Sequence, residues 1–268
     1  MKSNILINVN SLEYIDDYRK AGVTAFLFPL DGYSVGYNTF SLEEVKNVEV
    51  SNKYLLINRV LDCDSIDSLK ELLLGLDGIT GIVYEDIGVI NLVKDLGLDV
   101  ELIHFQNHFG TNLESVNFWL DRVDSIFVSN EITKDEIVDI VSNANKSVCL
   151  HLYGYNQVMY SRRLLLTNWS QEFNVDYKNT NVISDVATGV KFRAFENEFG
   201  TVMYSENIFN GKDIYGLDNV KYYYVNTMLI SHEDVMEFLN NIDKDIKTGE
   251  DTGFLYKETI FKLKGRDK

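Results

Sequence analysis

"KYLLINRVLDCDSIDSLKELLLGLDGITGIVYED" (residues 53–86) sets two short apolar runs, "KYLLINRV" and "GITGIVYED", on either side of a helical pattern. The runs are dense in Ile, Leu, Val and Tyr and lack the apolar–polar alternation of a half-solvated strand. Strands read this way when both faces are covered, as in a parallel sheet with helices packed on it. The same unit recurs outward in both directions, with runs at 4–10, 24–30, 99–106, 124–130 and 147–154. Repeated βα units in one chain predict either a (β/α) barrel or an open doubly wound sheet. The turn after the first run, "NVNSLEYIDD", carries no glycine-rich phosphate loop, which disfavours a dinucleotide-binding sheet.

Helix starts fall where this rhythm needs them. "SLEE" (41–44), "TNLE" (111–114) and "TKDE" (133–136) each place a hydroxyl three residues before a glutamate, the pattern of a capping box. Gly22 and Gly97 are expected to end helices. The rhythm breaks after Gly154. Residues 170–213 alternate apolar and polar, with turn signals at "ATG" and "ENEFG", and predict antiparallel hairpins. It returns with "KYYYVNTM" (221–228) and a helix opened by Ser231. The expectation is one domain over 1–268, an α/β TIM-like barrel with a β-rich insertion at about 170–213 between units seven and eight.

Composition narrows the partners. The 268 residues carry a net charge of −16, which argues against general nucleic-acid binding but not against a local basic site. No apolar run approaches the roughly 18 to 20 residues of a membrane helix, and no signal-peptide layout opens the chain, so a cytoplasmic protein is expected. Two cysteines, Cys63 and Cys149, cannot by themselves hold an iron–sulfur cluster. Aspartates beside Cys63 would raise its thiol, and Cys149 reads as a buried small hydrophobe.

In a barrel, functional groups gather where strands end. Those ends carry Asn8 and Asn10, Asp31, Asn58 and Arg59, Glu85 and Asp86, then His104, Gln106, Asn107 and His108, Asn130 and Glu131, Tyr153 and Asn226. Glu85 and Asp86 suit acid–base work, because two carboxylates at one mouth can be driven apart in pKa, although such a pair more often caps the next helix. Glu85, Asp86, His104 and Glu131 are the candidate catalytic residues. Asn10, Asn58, Arg59, Gln106, Asn107 and Tyr153 are candidate ligand-binding residues, with Asn10 alternatively a cap. His104 and His108 do not share a helix face, so no helical zinc motif and no metal set is assigned. His151 reads as structural. Arg162 and Arg163, after the seventh strand, suit bidentate recognition of a carboxylate or phosphate, or else pair with surplus surface carboxylates.

"GYNQVMYSRRLLLTNW" (154–169) resembles the signature stretch of the U32 peptidase-like family through Gly154, Met159, Ser161, Arg162 and Arg163. "FVSNEITKDEIVDI" (127–140) and "RAFENEFGTVMYSENIF" (193–209) resemble two further stretches of that family. The resemblance implies a TIM barrel with a β-rich insertion and adds Met159 and Ser161 to the ligand-binding candidates. It implies a peptidase or hydrolase acting on a peptide or small molecule at the C-terminal face of the barrel. Other family members are implicated in hydroxylating RNA bases or a quinone precursor with a cysteine-ligated cluster. Here Leu164 stands where their cysteine follows the basic pair, so no cofactor is expected. Two alternatives are an RNA- or cofactor-modification factor, catalytic only with a cluster-bearing partner, and a non-catalytic binding barrel. A second copy or a related U32 chain remains open as partner.

Overall fold

The computed structural model describes residues 4–106, 108–178, 180–187, 189–242 and 244–257. Six of the apolar runs form strands β1 (Ile5–Asn8), β2 (Ala25–Pro29), β3 (Lys53–Ile57), β4 (Gly81–Tyr84), β5 (Glu101–His104) and β6 (Ser125–Ile126). β7 (Val148–Ser161) is much longer. β8 (Thr180–Ser184), β9 (Lys191–Asn197) and β10 (Gly200–Asn210) follow, then β11 (Val220–Val225) and β12 (Glu250–Asp251). All join one sheet in the order β6-β5-β4-β3-β2-β1-β11-β7-β10-β9-β8, with β12 on β10. Every pairing from β6 through to β7 is parallel. β1 to β4 are buried along their whole length, which is why they read as unbroken apolar runs.

The connections are helices α1 (Ile15–Lys20), α2 (Leu42–Asn47), α3 (Cys63–Leu73), α4 (Gly88–Leu96), α5 (Leu113–Leu120), α6 (Lys134–Asn143), α7 (Leu165–Phe173) and α8 (His232–Asn240). Ser41 and Thr133 form complete capping boxes with Glu44 and Glu136, and Gly97 ends α4 in the left-handed conformation. α5 departs from expectation: Asn112, not Thr111, caps it by accepting from the Ser115 N–H. Among the described residues, no helix is long and apolar enough to cross a membrane.

The sheet curls strongly. Tyr54 on β3 and Tyr222 on β11 are three strands apart in the sheet order, yet their hydroxyls lie 3.0 Å apart. Phe105, just past β5, and Tyr224 on β11 bring ring centres to 5.9 Å. Past β6, Phe127 bridges in parallel to Cys149 of β7, and the Val128 N–H donates to the Cys149 carbonyl at 3.0 Å.

β7 belongs to two structures. Its first half runs parallel to β11; its second half leaves as an antiparallel partner of β10. Gly154 sits at the change. Its φ is 123°, and a Cβ there would lie 2.3 Å from the Asn226 carbonyl oxygen, so only glycine fits. β8, β9 and β10 pair antiparallel, while the first residues of the 170–213 stretch belong to α7 rather than to a hairpin.

Candidate functional site

Alternation along each strand and the register between strands sort side chains onto the concave face. Leu6 is level with Tyr224, Leu27 with Tyr54, Tyr54 with Gly81, and Gly81 with Glu101. Stepping by two toward the C-terminal ends puts Asn8, Asn58, Glu85 and Phe105 on that same face.

Those ends are covered by the 31–40 loop and the β9–β10 hairpin. The Asn58 amide accepts from the Val35 N–H and donates to the Val35 carbonyl, both at 3.0 Å, pinning the loop. From the hairpin, Tyr204 donates to the Gly36 carbonyl and Asn197 to the Ser34 carbonyl at 3.3 Å. Tyr224 donates to the Tyr37 hydroxyl at 3.4 Å. Burial pushes the Tyr37 phenol up to about 12 and holds Tyr204 and Tyr224 well above the usual phenol range.

Two residues in this setting are unsatisfied. Asn8 is 1% exposed, and neither its amide nitrogen nor its oxygen has a hydrogen-bond partner among the described residues. Glu85 is half-buried as a residue, but its Oε1 is shut off from solvent and has no partner among the described residues. Desolvation pushes this carboxyl up to about 8, so it is largely protonated at neutral pH and can donate as well as accept. Buried polar groups are nearly always paired, so the unpaired amide and carboxyl oxygen on one concave face are the candidate groups for meeting an outside polar group.

The other candidates separate. Asp86 is a turn residue: its carboxylate accepts from the Leu61 N–H at 3.1 Å and the Gly88 N–H at 2.9 Å. His104 shares strand parity with Leu102, not with Phe105, and packs away from the concave face, 4.0 Å from the Trp119 ring on α5. Burial lowers it to about 4. Glu131 is exposed and meets His108 Nδ1 at 3.0 Å. His151 accepts from Asn130 through Nδ1 and donates to the Tyr153 carbonyl through Nε2, a neutral ring held at about 4 by burial.

Asn10 accepts from Asn38 Nδ2 at 2.5 Å and does not cap α1. Arg59 donates to the Gly32 carbonyl at 2.7 Å and to Ser65 at 2.9 Å, and lies 4.2 Å over the Phe199 ring. Tyr153 is buried, stacks on Phe238 at 3.9 Å and donates to Glu250 at 3.1 Å. Gln106 is half-buried, and Asn107 lies outside the described residues. Met159 pairs with Met203 in the β7–β10 ladder.

The arginine pair does not enter the concave face. Arg162 is exposed and meets Asp62 at 3.3 Å, rather than Glu85, Asp86 or Glu131; Arg163 is exposed too. The motif around them forms a clasp. Glu196 accepts from the Leu166 and Thr167 N–H groups at 2.7 and 3.0 Å, from Thr167 Oγ1 at 2.5 Å and from Thr201 Oγ1 at 2.6 Å. It thereby satisfies the start of α7, where the dipole favours an anion. Gly200 lets the hairpin approach: a Cβ there would be 2.2 Å from the Ser161 carbonyl oxygen.

The residues present do not fit an iron–sulfur cluster. Cys63 is exposed at the start of α3, while Cys149 is buried beside Ser125 with its thiol pushed up to about 12 by burial. Among the described residues no group of three or more His, Cys, Asp and Glu side chains could hold a metal ion. A cluster needs thiolates in number, and the 268 residues supply two cysteines.

A curled, mainly parallel α/β sheet with its unsatisfied polar groups at the C-terminal strand ends is a scaffold used by many enzymes and binding proteins. Within that class, residues 37–225 match Peptidase family U32, and the chain belongs to this family. It is 25% identical to tRNA hydroxylation protein P2 of Bacillus subtilis (strain 168), over 97% of this chain and 99% of that protein. Among solved structures it is similar to the U32 peptidase Mk0906, with a TM-score of 0.48 and 12% identity over 84% of this chain and 93% of the other. A chitinase from Chromobacterium violaceum ATCC 12472 aligns with a TM-score of 0.40 and 10% identity over 91% and 100% of the two chains.

Proposed function

We propose that this chain is a component of a tRNA hydroxylation system, acting in the cytoplasm beside a partner chain that carries the oxidising centre. The observation that carries the reading is the end-to-end likeness to a tRNA hydroxylation protein, over 97% of this chain and 99% of that one. Two properties of the chain agree with it. The 268 residues supply two cysteines, on α3 and β7, so redox chemistry falls to the partner. The net charge of −16 likewise leaves most of the grip on the RNA phosphates to that partner. This chain contributes the receptor at the strand ends, in which Asn8 offers an amide and Glu85 a protonated carboxyl.

Peptide hydrolysis, the activity in the family's name, has less support. Three of the four histidines are bonded elsewhere, His108 with Glu131, His151 with Asn130 and Tyr153, and His232 with Asp17, while His104 is buried under Trp119 on the outer face with both ring nitrogens unpartnered. Among the described residues none is bonded to a serine or cysteine, as a nucleophile–base pair requires. The same reading takes the eight parallel strands as a closed (β/α) barrel in one U32 domain over 1–268, with residues of the 170–213 stretch inserted before β11. The Phe127–Cys149 bridge and the Ser125 hydroxyl donating to the Ser147 carbonyl at 2.8 Å support closure.

Deleting the gene in its host and digesting total tRNA for nucleoside mass spectrometry tests the function. The expected result is loss of a hydroxylated nucleoside, restored by the wild-type chain. An unchanged nucleoside profile would overturn the reading.

A further inference from the structure

A cavity of about 470 Å³ lies where the hairpin strands approach α8 and the 247–250 segment. None of Asn8, Glu85, Tyr37 and Tyr204 lines it, so a ligand held here is independent of the receptor at the strand ends and of the tRNA role. Its notable wall is Arg193 on β9. The guanidinium carbon lies 4.7 Å from the centre of the Tyr155 ring, and the Nε is buried without a hydrogen-bond partner. Among the described residues Arg193 forms no ion pair.

Arginine has five donors in a fixed fork, and a buried, unpaired one is costly. The Glu250 and Asp234 carboxylates in the same wall have partners other than Arg193. Glu250 accepts from Tyr153 and from Asn210 Nδ2, the latter at 2.8 Å, and Asp234 accepts from Ser231 at 2.6 Å. Lys247, also in the wall, is paired with Glu237. The fork of Arg193 is therefore available to an acid group from outside, with Lys191 adding positive charge nearby. A carboxylate matches the guanidinium geometry with two parallel hydrogen bonds. Glu206, Asp234 and Glu250 set a limit on the rest of the molecule. They repel a doubly charged phosphate and reward a ligand that brings its own donor. The volume suits a small metabolite rather than a polymer.

We propose that this cavity binds a small organic carboxylate that also bears a hydroxyl or ammonium group: Arg193 takes the carboxylate, and the acidic wall takes the donor. The Tyr155 ring beneath the guanidinium holds it in place, so less side-chain freedom is lost on binding.

Saturation-transfer NMR on the full chain tests it, with L-leucine, 2-hydroxy-4-methylpentanoate and leucinamide as probes. The first two are expected to show transfer, and leucinamide at least tenfold less. R193M should abolish the carboxylate signals. R193K, which keeps the charge and loses the fork, should reduce them at least threefold and covers the case in which R193M does not fold. R162M, at the surface, should leave them unchanged. No transfer from either carboxylate to the wild-type chain, equal transfer from leucinamide, or signals that survive both Arg193 substitutions would overturn the proposal.

Discussion

The two ends of the concave face are built from similar side chains and treat them oppositely. At the N-terminal end, Tyr54 donates to Glu101 and shares a hydrogen bond with Tyr222 at 3.0 Å, and Glu101 meets Lys221 at 3.0 Å. Every polar atom named there has a partner. At the C-terminal end, both amide atoms of Asn8 and Oε1 of Glu85 have none. A satisfied buried network stabilises and specifies the fold, whereas an unsatisfied group costs stability, so it persists where something else selects for it. The N-terminal end is a plug, and the C-terminal end is, on the proposed function, the receptor.

The largest effect is expected at the hinge on which both ends depend. G154A puts a Cβ against the Asn226 carbonyl in a backbone conformation that disfavours alanine, and should destabilise by roughly 3 kcal/mol or more, seen as a fall in the urea midpoint. In the plug, Y54F removes a hydroxyl with two partners and should cost about 1–3 kcal/mol. A neutral Y54F would erase the contrast between the two ends.

Glu85 sharpens the contrast through pH. Its carboxyl stands at about 8 in the folded chain against an ordinary value of 4.5. Between those values the folded chain holds a proton that the unfolded chain has released. Stability should therefore fall as pH rises through this window, by up to about 1.4 kcal/mol per pH unit, and level off above it. E85Q should flatten that slope in denaturant titrations from pH 5 to 9; an unchanged slope would remove Glu85 from the receptor. The smallest effect belongs to R162M. Its partner Asp62 and Arg162 itself are both about half exposed, so stability should move by no more than about 0.5 kcal/mol.

The parallel strands were legible because burial on both faces writes itself as unbroken apolar runs. α7 was less so, since its first turn is anchored by Glu196, about 30 residues further on, and no local pattern shows such a partner. At the site, Glu85 stood out as a carboxyl at a strand end. Parity could have done more. Glu85 is in step with Gly81 and Val83, whereas His104 is out of step with Glu101 and Phe105, and register then places the two on opposite faces. Asn8 and Asn10 looked alike in sequence; only the contact with Asn38 separates the paired one from the unpaired one. Tyr37 and Tyr204 come from a loop and a hairpin that meet only when the chain closes over the strand ends. Arg162 and Arg163 attracted attention as an anion grip, while the neighbouring Glu196 clasp explains their segment better.

The most direct test of receptor against plug is N8L, measured for stability and for tRNA hydroxylation in the same host. Leucine matches asparagine in the number and branching of its side-chain heavy atoms and needs no hydrogen bonds. If Asn8 is kept for function, the variant should be more stable than wild type by about 1–2 kcal/mol and should lose the hydroxylated nucleoside. A variant that is destabilised, or one that leaves the tRNA nucleoside profile as it is with the wild-type chain, would contradict the account.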